Sequence, residues 1–178
     1  MFLFKKKEPK IIYTYQPSEV DLLFKEYKPI LDKHFELLHK AQNEYSIAIN
    51  QEDIFNEYTT QCKYTCLEDI KLAPKFKEYY DKNSVLGGNK EKNTFYGAYP
   101  TYTIFAKLCE KEGLIRDAIL MCVNAIQMGF IIESNKSTIE GRLARLIKKY
   151  NNDNYSEKLH FDYENKILFD ENSGEIIK

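Results

Sequence analysis

The feature that most limits the fold of this chain is an apolar stripe of helical period between two glycines. Apolar side chains recur at steps of three or four: Ile115, Ala118, Ile119, Cys122 and Ile126. That spacing places them on one face of an α-helix. Gly113 precedes the stripe and Gly129 follows it, which predicts both ends of the helix. Because a helix with one apolar face must bury it, we expect a core of packed helices.

The segments on either side of this stripe show the same helical period. The sequence predicts a helix from Pro100 to about Lys111, just before the glycine turn. After the stripe, Ser137 and Glu140 form a capping-box pattern. We therefore expect the next helix to begin at Ser137 and to run to about residue 150.

The earlier part of the chain also has helix start signals, interrupted by prolines. Ser18 is a good N-cap, with Asp21 three residues later. Pro29 is expected either to interrupt this first helix or to open the next one in its first turn. A second start signal stands at Asp53, before another run of helical period.

Two segments are predicted to lie outside these helices. Pro74 indicates a break or the first turn of a helix that ends near Tyr80. Residues 81–94 contain Gly87-Gly88 between polar flanks and offer no core face, so they are predicted to form a loop, either an insertion or a functional segment. Residues 1–17 are expected to form an extended arm in which Ile11–Tyr15 resembles a strand.

The pattern changes after residue 150. Phe161 and Tyr163 alternate with acidic residues, which predicts a β-hairpin or short meander in residues 151–178, or else an acidic tail. Pairing with the Ile11–Tyr15 arm would make the strands more stable. The predicted fold class is therefore mostly α: antiparallel helical hairpins over residues 18–150, with a small β element near the C-terminus.

The stretch Tyr99–Phe130 resembles one tetratricopeptide repeat, which is a helix–turn–helix unit with fixed small and large positions. On the first helix of the repeat, the Trp, Leu-Gly and Tyr positions are matched here by Tyr102, Phe105-Ala106 and Cys109. On the second helix, the Ala, Phe and Ala positions and the closing Pro are matched by Ala118, Cys122, Ala125 and Phe130. Residues 66–72 align with residues 122–128 at an offset of 56, which predicts an earlier hairpin in residues 33–73. The Glu-Gly-Arg-Leu-Ala-Arg-Leu run at 140–146 is also similar to uncharacterised bacterial tetratricopeptide-like proteins.

This resemblance implies that the helical hairpins stack as a short tetratricopeptide-like solenoid. It also implies a groove, lined by the first helix of each hairpin, that holds a partner peptide or helix. The residues it places in the groove are Thr103, Lys107, Glu110, Arg142, Arg145 and Lys148. Residues 136–150 carry five cations and one acid, whereas residues 151–178 carry seven acids and three lysines. The cations favour an acidic partner segment or anionic surface; the alternative is a solvated helix face whose charge the tail offsets.

Two other functions stay open at this point. The basic 136–150 helix and the Lys5–Lys7 arm could contact nucleic acid or an anionic surface, although the chain's net charge is only −1 and it has three arginines. An enzyme of unrecognised type is the second alternative, but there is no Gly-x-Ser-x-Gly motif and no phosphate-binding loop.

Cysteine and histidine spacing points to no cofactor or metal. Cys62, Cys66, Cys109 and Cys122 include no C-x-x-C pair, so we expect them to be core residues. No apolar run is long enough for a transmembrane helix. Because Lys5–Lys7 follow rather than precede the apolar Met1–Phe4, the N-terminus does not read as a signal peptide, and we expect a cytoplasmic protein. The sequence indicates neither the partner nor the oligomeric state.

Overall fold

The computed structural model describes residues 16–88, 97–134, 137–153 and 155–177. Within these ranges the protein is mostly helical, as predicted, with a small antiparallel hairpin near the C-terminus. The helices are α1 (Glu19–Ile49), α2 (Glu57–Ile70), α3 (Ala73–Leu86), α4 (Pro100–Lys111), α5 (Ile115–Met128) and α6 (Ile139–Asn152). The strands are β1 (Ile132–Ser134), β2 (Ser137–Thr138), β3 (Leu159–Asp162) and β4 (Ile167–Asp170).

Helix α1 begins where the sequence predicts. The Ser18 hydroxyl accepts from the Asp21 N–H at 3.2 Å, and the Asp21 carboxylate accepts from the Ser18 N–H at 2.9 Å. This reciprocal pair satisfies two backbone donors at the helix end. Residues 1–15, including the Ile11–Tyr15 segment and its expected pairing with the C-terminal strands, lie outside the described residues.

The expectation that Pro29 interrupts α1 or opens a new helix is wrong. The helix has 31 residues and continues through the proline. Proline removes one hydrogen bond and crowds the preceding turn. However, Tyr27 and Leu31 on either side of it are both buried, so one apolar face extends along the whole helix. Packing of that face against α2, α3 and α4 holds the helix together across Pro29.

Helix α2 begins later than predicted. Its N-cap is Asn56, whose side chain accepts from the Thr59 N–H at 2.9 Å. Asp53, the predicted start, instead accepts from the Phe55 N–H at 2.8 Å and so forms a turn before the helix. Asparagine and aspartate side chains both accept hydrogen bonds from nearby backbone N–H groups, in turns as well as at helix N-caps. The sequence signal therefore did not distinguish a turn at Asp53 from a cap.

Helix α3 confirms Pro74 as a first-turn residue but corrects the loop predicted at 81–94. The helix continues to Leu86, and Gly87 and Gly88 form the turn after it. Lysine–carboxylate pairs four residues apart, Lys77 with Asp81 and Lys82 with Glu78, support its second half. Residues 89–94 lie outside the described residues.

Helices α4 and α5 match the prediction at both ends. Gly113 and Gly129 have φ angles of 79° and 86°, which is the left-handed region that favours glycine. After Gly129, the Phe130 N–H donates to the Ala125 carbonyl at 2.9 Å and closes the end of α5.

Helix α6 follows a short β1–β2 hairpin that the sequence analysis did not predict. The helix begins one residue later than expected, because Thr138 rather than Ser137 is the N-cap. The Thr138 hydroxyl accepts from the Gly141 N–H at 3.1 Å, whereas Ser137 pairs with Ser134 in the hairpin. Threonine and serine are comparable caps, so the neighbouring strand decides between them.

The C-terminal hairpin is confirmed. Strand β3 pairs antiparallel with β4, and Phe169 forms a further bridge to Ile176. Leu159, Phe161 and Leu168 are buried and join the main core with residues of α3 to α6. A smaller cluster packs between α1, α2 and α4. None of the described helices is long and apolar enough to cross a membrane.

Candidate functional site

The six residues predicted to line a groove lie on α4 and α6, but they differ in exposure. Thr103 is 7% exposed and so offers little surface to a partner. Lys107 and Glu110 are half-buried, and Lys148 is exposed. The side chain of Arg142 is 10% exposed and that of Arg145 is 57% exposed.

Three of these residues meet in one ion-paired group, which we call the Glu110 cluster: Glu110, Arg142 and Arg145. Arg145 donates from both terminal nitrogens, at 2.6 Å to Oε1 and 3.2 Å to Oε2 of Glu110. Arg142 donates to Oε2 at 3.0 Å. Two guanidinium groups thus hold one carboxylate in a charge-assisted, partly bidentate arrangement.

Helix geometry explains how the Glu110 cluster forms. Arg142 and Arg145 are three residues apart and therefore share one side of α6. Leu143 and Leu146 are buried on the core side of the same helix. Glu110 lies in the last turn of α4 and reaches both arginines across the space between the two helices. The sequence placed these three residues on one surface but did not indicate that they pair with each other.

The charge of the Glu110 cluster is unbalanced toward the cations. It contains two guanidinium groups and one carboxylate, and Lys107 and Lys148 lie one helical turn away on α4 and α6. Its field extends to α1: burial raises the pKa of the Tyr45 hydroxyl, and the nearby Arg142 guanidinium opposes that shift. We call the surface formed by these residues the α4/α6 face; the five residues that define it comprise four cations and one acid.

A second polar group lies in the core, and the sequence analysis did not predict it. We call it the Asp69 cluster: Asp69, His34, Thr101 and Tyr99. The Asp69 carboxylate, on α2, is fully buried. His34 Nδ1 of α1 lies 2.8 Å from Asp69 Oδ1, and Thr101 Oγ1 donates to Oδ2 at 2.8 Å. The Tyr99 hydroxyl lies 2.8 Å from the Asp69 carbonyl and 3.2 Å from Oδ1. One buried carboxylate thus joins three helices.

The environment of the Asp69 cluster restricts what it can do chemically. Burial and the adjacent Asp69 carboxylate raise the pKa of Tyr99, and they raise that of Tyr102 to about 12. The His34 ring packs against those of Phe76 and Tyr99, each with its centroid 4.5 Å away. A reactant could reach the His34–Asp69 pair only by displacing core side chains, so the cluster fixes helix positions in this structure.

A sequence signal for Asp69 did exist. Cys62, Cys66 and Asp69 stand at i, i+4 and i+7 on α2, and all three are buried. An acid on the apolar face of a helix needs buried hydrogen-bond donors. The polar partners, however, come from α1 and α4, and their meeting at Asp69 depends on tertiary packing.

The described surface also contains an apolar cleft of about 670 Å³ between the first turns of α1 and the last turns of α3. Its apolar walls are Leu22 and Leu23 on α1, and Val85 and Leu86 on α3. The sequence analysis did not predict this cleft. Half of its lining residues lie in the last turns of α3, within the 81–94 segment that the sequence predicts to be a loop.

The four cysteines are buried, as expected of core residues, and none of them forms a disulfide. Cys62 Sγ donates to the Ala41 carbonyl at 3.2 Å. A hydrogen bond with Cys62 and burial raise the pKa of Cys66, and burial raises that of Cys109 to about 12. In the described parts of the chain, no three His, Cys, Asp or Glu side chains are grouped closely enough to hold a metal ion.

Comparison with known proteins gives no relatives. The chain matches no protein-family model, no curated protein and no solved structure.

Proposed function

We propose that this protein is a non-catalytic, tetratricopeptide-like binding module whose α4/α6 face holds an acidic segment of a partner protein. The observation that carries the proposal is the Glu110 cluster, in which one carboxylate already lies between two arginines. This internal pair has the chemistry with which a guanidinium recognises the carboxylate of a partner.

The exposed cations of the α4/α6 face support this proposal. Arg145 bonds Glu110 with both terminal nitrogens, yet more than half of its side chain remains exposed. Lys148 is exposed one turn further along α6. An acidic segment lying across α6 would meet both residues, and Lys107 on α4 would extend the positive surface. Such rim charges act mainly on association rate and specificity.

The packing of the α4–α5 hairpin is consistent with a tetratricopeptide-like unit. Of the positions matched to the repeat pattern, Phe105 is half-buried and the others are buried: Tyr102, Ala106, Cys109, Ala118, Cys122, Ala125 and Phe130. Small residues there allow the helices to approach closely, as the pattern requires. Four cysteine thiols that form no disulfide suit a reducing compartment, which supports a cytoplasmic location.

The chain's own acidic tail has other partners for two of its carboxylates. Glu157 lies 3.6 Å from Arg116, and Glu171 lies 3.1 Å from His160. Glu157 also accepts from the Tyr150 hydroxyl, in the last turn of α6, at 3.2 Å. Neither Arg116 nor His160 belongs to the α4/α6 face. This arrangement favours an external acidic segment over the tail as the partner of the α4/α6 face.

The test is a fluorescence-anisotropy titration of the full chain with a labelled oligoglutamate peptide at low and physiological salt. The variant combines Lys107→Glu, Arg145→Glu and Lys148→Glu. We expect it to bind at least about tenfold more weakly than the unmodified protein. The matched control reverses three exposed lysines of α1: Lys25, Lys33 and Lys40. It should change binding by less than about threefold.

Three results would overturn the proposal. The first is the absence of oligoglutamate binding even at low salt, and the second is an equal loss in both triple variants. The third concerns the alternative that the sequence left open, in which the 136–150 helix contacts nucleic acid. A single-stranded oligonucleotide that binds more tightly than oligoglutamate in the same titration would favour that alternative.

A further inference from the structure

The apolar cleft between α1 and α3, which we call the α1/α3 cleft, is separate from the α4/α6 face and has exposed apolar side chains in its lining. Leu22 is 54% exposed and Val85 is 47% exposed, and they belong to opposite walls. Solvent-exposed leucine and valine side chains that converge on one cavity indicate a surface that is covered by another segment.

The rim of the cleft is acidic. Glu19, Glu26 and Asp81 line it together with one cation, Lys82. Lys82 already bonds the Tyr27 hydroxyl at 2.8 Å and pairs with Glu78 at 2.8 Å. A segment that fills the cleft should therefore carry apolar residues together with positive charges.

Asp81 is a partly exposed member of this rim, with 27% of its side chain accessible. Its Oδ2 accepts from Lys77, whereas its Oδ1 is buried and has no hydrogen-bond partner among the described residues. A buried carboxylate oxygen without a donor is unfavourable, and such atoms are rare in native proteins. Asp81 thus contributes a carboxylate to the lining of the cleft.

Residues 1–15 have the matching composition. They contain two apolar runs, Phe2–Phe4 and Ile11–Tyr13, and between these runs lie four lysines and one glutamate. The described chain begins at Gln16, only three residues before Glu19 at the edge of the cleft. Fifteen residues can extend to about 50 Å, so reach is not limiting.

We propose that residues 1–15 dock into the α1/α3 cleft, with apolar side chains against Leu22 and Val85 and lysines toward Glu19, Glu26 and Asp81. The direct tether favours this occupant, because a short linker gives an effective concentration of the order of millimolar for its own site. A separate partner, or a second copy, would compete with a segment that is covalently joined to the chain three residues before Glu19.

Limited trypsin digestion of the full chain tests the proposal, since Lys5–Lys7 and Lys10 are natural cleavage sites. The cleft variants are Leu22→Gln and Val85→Gln. The control is Phe24→Gln, which is on the same helix and 46% exposed but does not line the cleft. Glutamine is polar and a good helix former, so the helices should persist, as circular dichroism would verify.

We expect cleavage within residues 5–10 to be slow in the unmodified protein and the control, and at least about tenfold faster in both cleft variants. Equal rates in all four proteins would overturn the proposal, whether the arm is accessible or protected elsewhere. Sedimentation gives a second readout. A dimer that dissociates with Leu22→Gln but not with Phe24→Gln would assign the cleft to a second copy instead.

Discussion

Replacing Thr101 with valine tests whether the Asp69 cluster holds the helices together. Thr101 is fully buried, and its hydroxyl donates to Asp69 Oδ2 at 2.8 Å. The His34 ring and the Tyr99 hydroxyl both approach the other oxygen, Oδ1. In the part of the chain that the structure describes, Thr101→Val therefore leaves Oδ2 without a donor while hardly changing side-chain shape.

The expected loss follows from the charge and burial of this hydrogen bond. Bonds to charged groups contribute about 1.5–3 kcal/mol, and leaving a buried charged acceptor unpaired costs a similar amount. Valine fills the space of threonine, so no cavity contribution is added. For a protein of this size, each kcal/mol lowers Tm by roughly 2–4 °C, which gives a decrease of about 3–12 °C.

Thr65 provides a matched control on α2. It is also buried, but its hydroxyl oxygen has no hydrogen-bond partner in the described structure. Thr65→Val removes a desolvated hydroxyl that gains nothing in return, so its free energy of unfolding should stay constant or rise by about 1 kcal/mol. Urea denaturation followed by circular dichroism measures both variants. A Thr101→Val protein that is as stable as Thr65→Val would refute the proposed role of the cluster.

Three other predictions concern the Glu110 cluster, the thiols and alkaline pH. Arg142→Met should lower the free energy of unfolding by about 1–3 kcal/mol and Arg145→Met by less than about 1 kcal/mol, because the Arg142 side chain is largely buried and the Arg145 side chain is more than half exposed. Urea denaturation measures both variants, and a larger loss for Arg145→Met would contradict this. Ellman's reagent should label the four cysteines only as the protein unfolds, because all four are buried. With a pKa of about 12, only about 10⁻⁴ of Cys109 is the reactive thiolate at pH 8. Rapid labelling of the native protein would contradict this prediction. Unfolding measured against pH should show stability that falls above about pH 9, because folded Cys109 (pKa about 12) keeps its proton where the thiol of the unfolded chain, with the ordinary value of 9, releases it. The fall should steepen above about pH 10, where the unfolded chain also releases the Tyr102 proton and the folded chain (pKa about 12) retains it; Tyr102→Phe should reduce the slope between pH 10 and 12, and an unchanged slope would contradict this.

Helix boundaries were predictable where one residue type has a dominant local effect. Gly113 and Gly129 adopt left-handed backbone conformations that other residues rarely do, and both helix ends lie where the sequence predicts. Pro29 is the opposite case. Its local effect is strong, but the buried face of α1 on either side of it decides the outcome, and that face is defined only by the packing of α2 to α4.

The candidate site shows the same division between local and tertiary information. The sequence placed Glu110, Arg142 and Arg145 on one surface because each helix has a readable period. Their mutual pairing depends on the distance between α4 and α6, which no local pattern encodes. The sequence does not predict the apolar cleft for a related reason. The polar run after Tyr80 is typical of a loop, but α3 continues through it, and Val85 and Leu86 of this last part of the helix form one wall of the cleft.

The hydrogen bonds at Asp69 also bear on how the chain tolerates changes in length. Asp69 and Tyr99 are thirty positions apart, and the Tyr99 hydroxyl donates to the Asp69 carbonyl at 2.8 Å. The segment that contains α3 therefore begins and ends at one fixed point, the hydrogen bond between Asp69 and Tyr99. Since the entropy of closing a loop grows slowly with its length, residues inserted between Gly88 and Gly97 should disturb neither the α1/α2 nor the α4/α5 pair. In an evolving lineage this stretch is where length variation should accumulate.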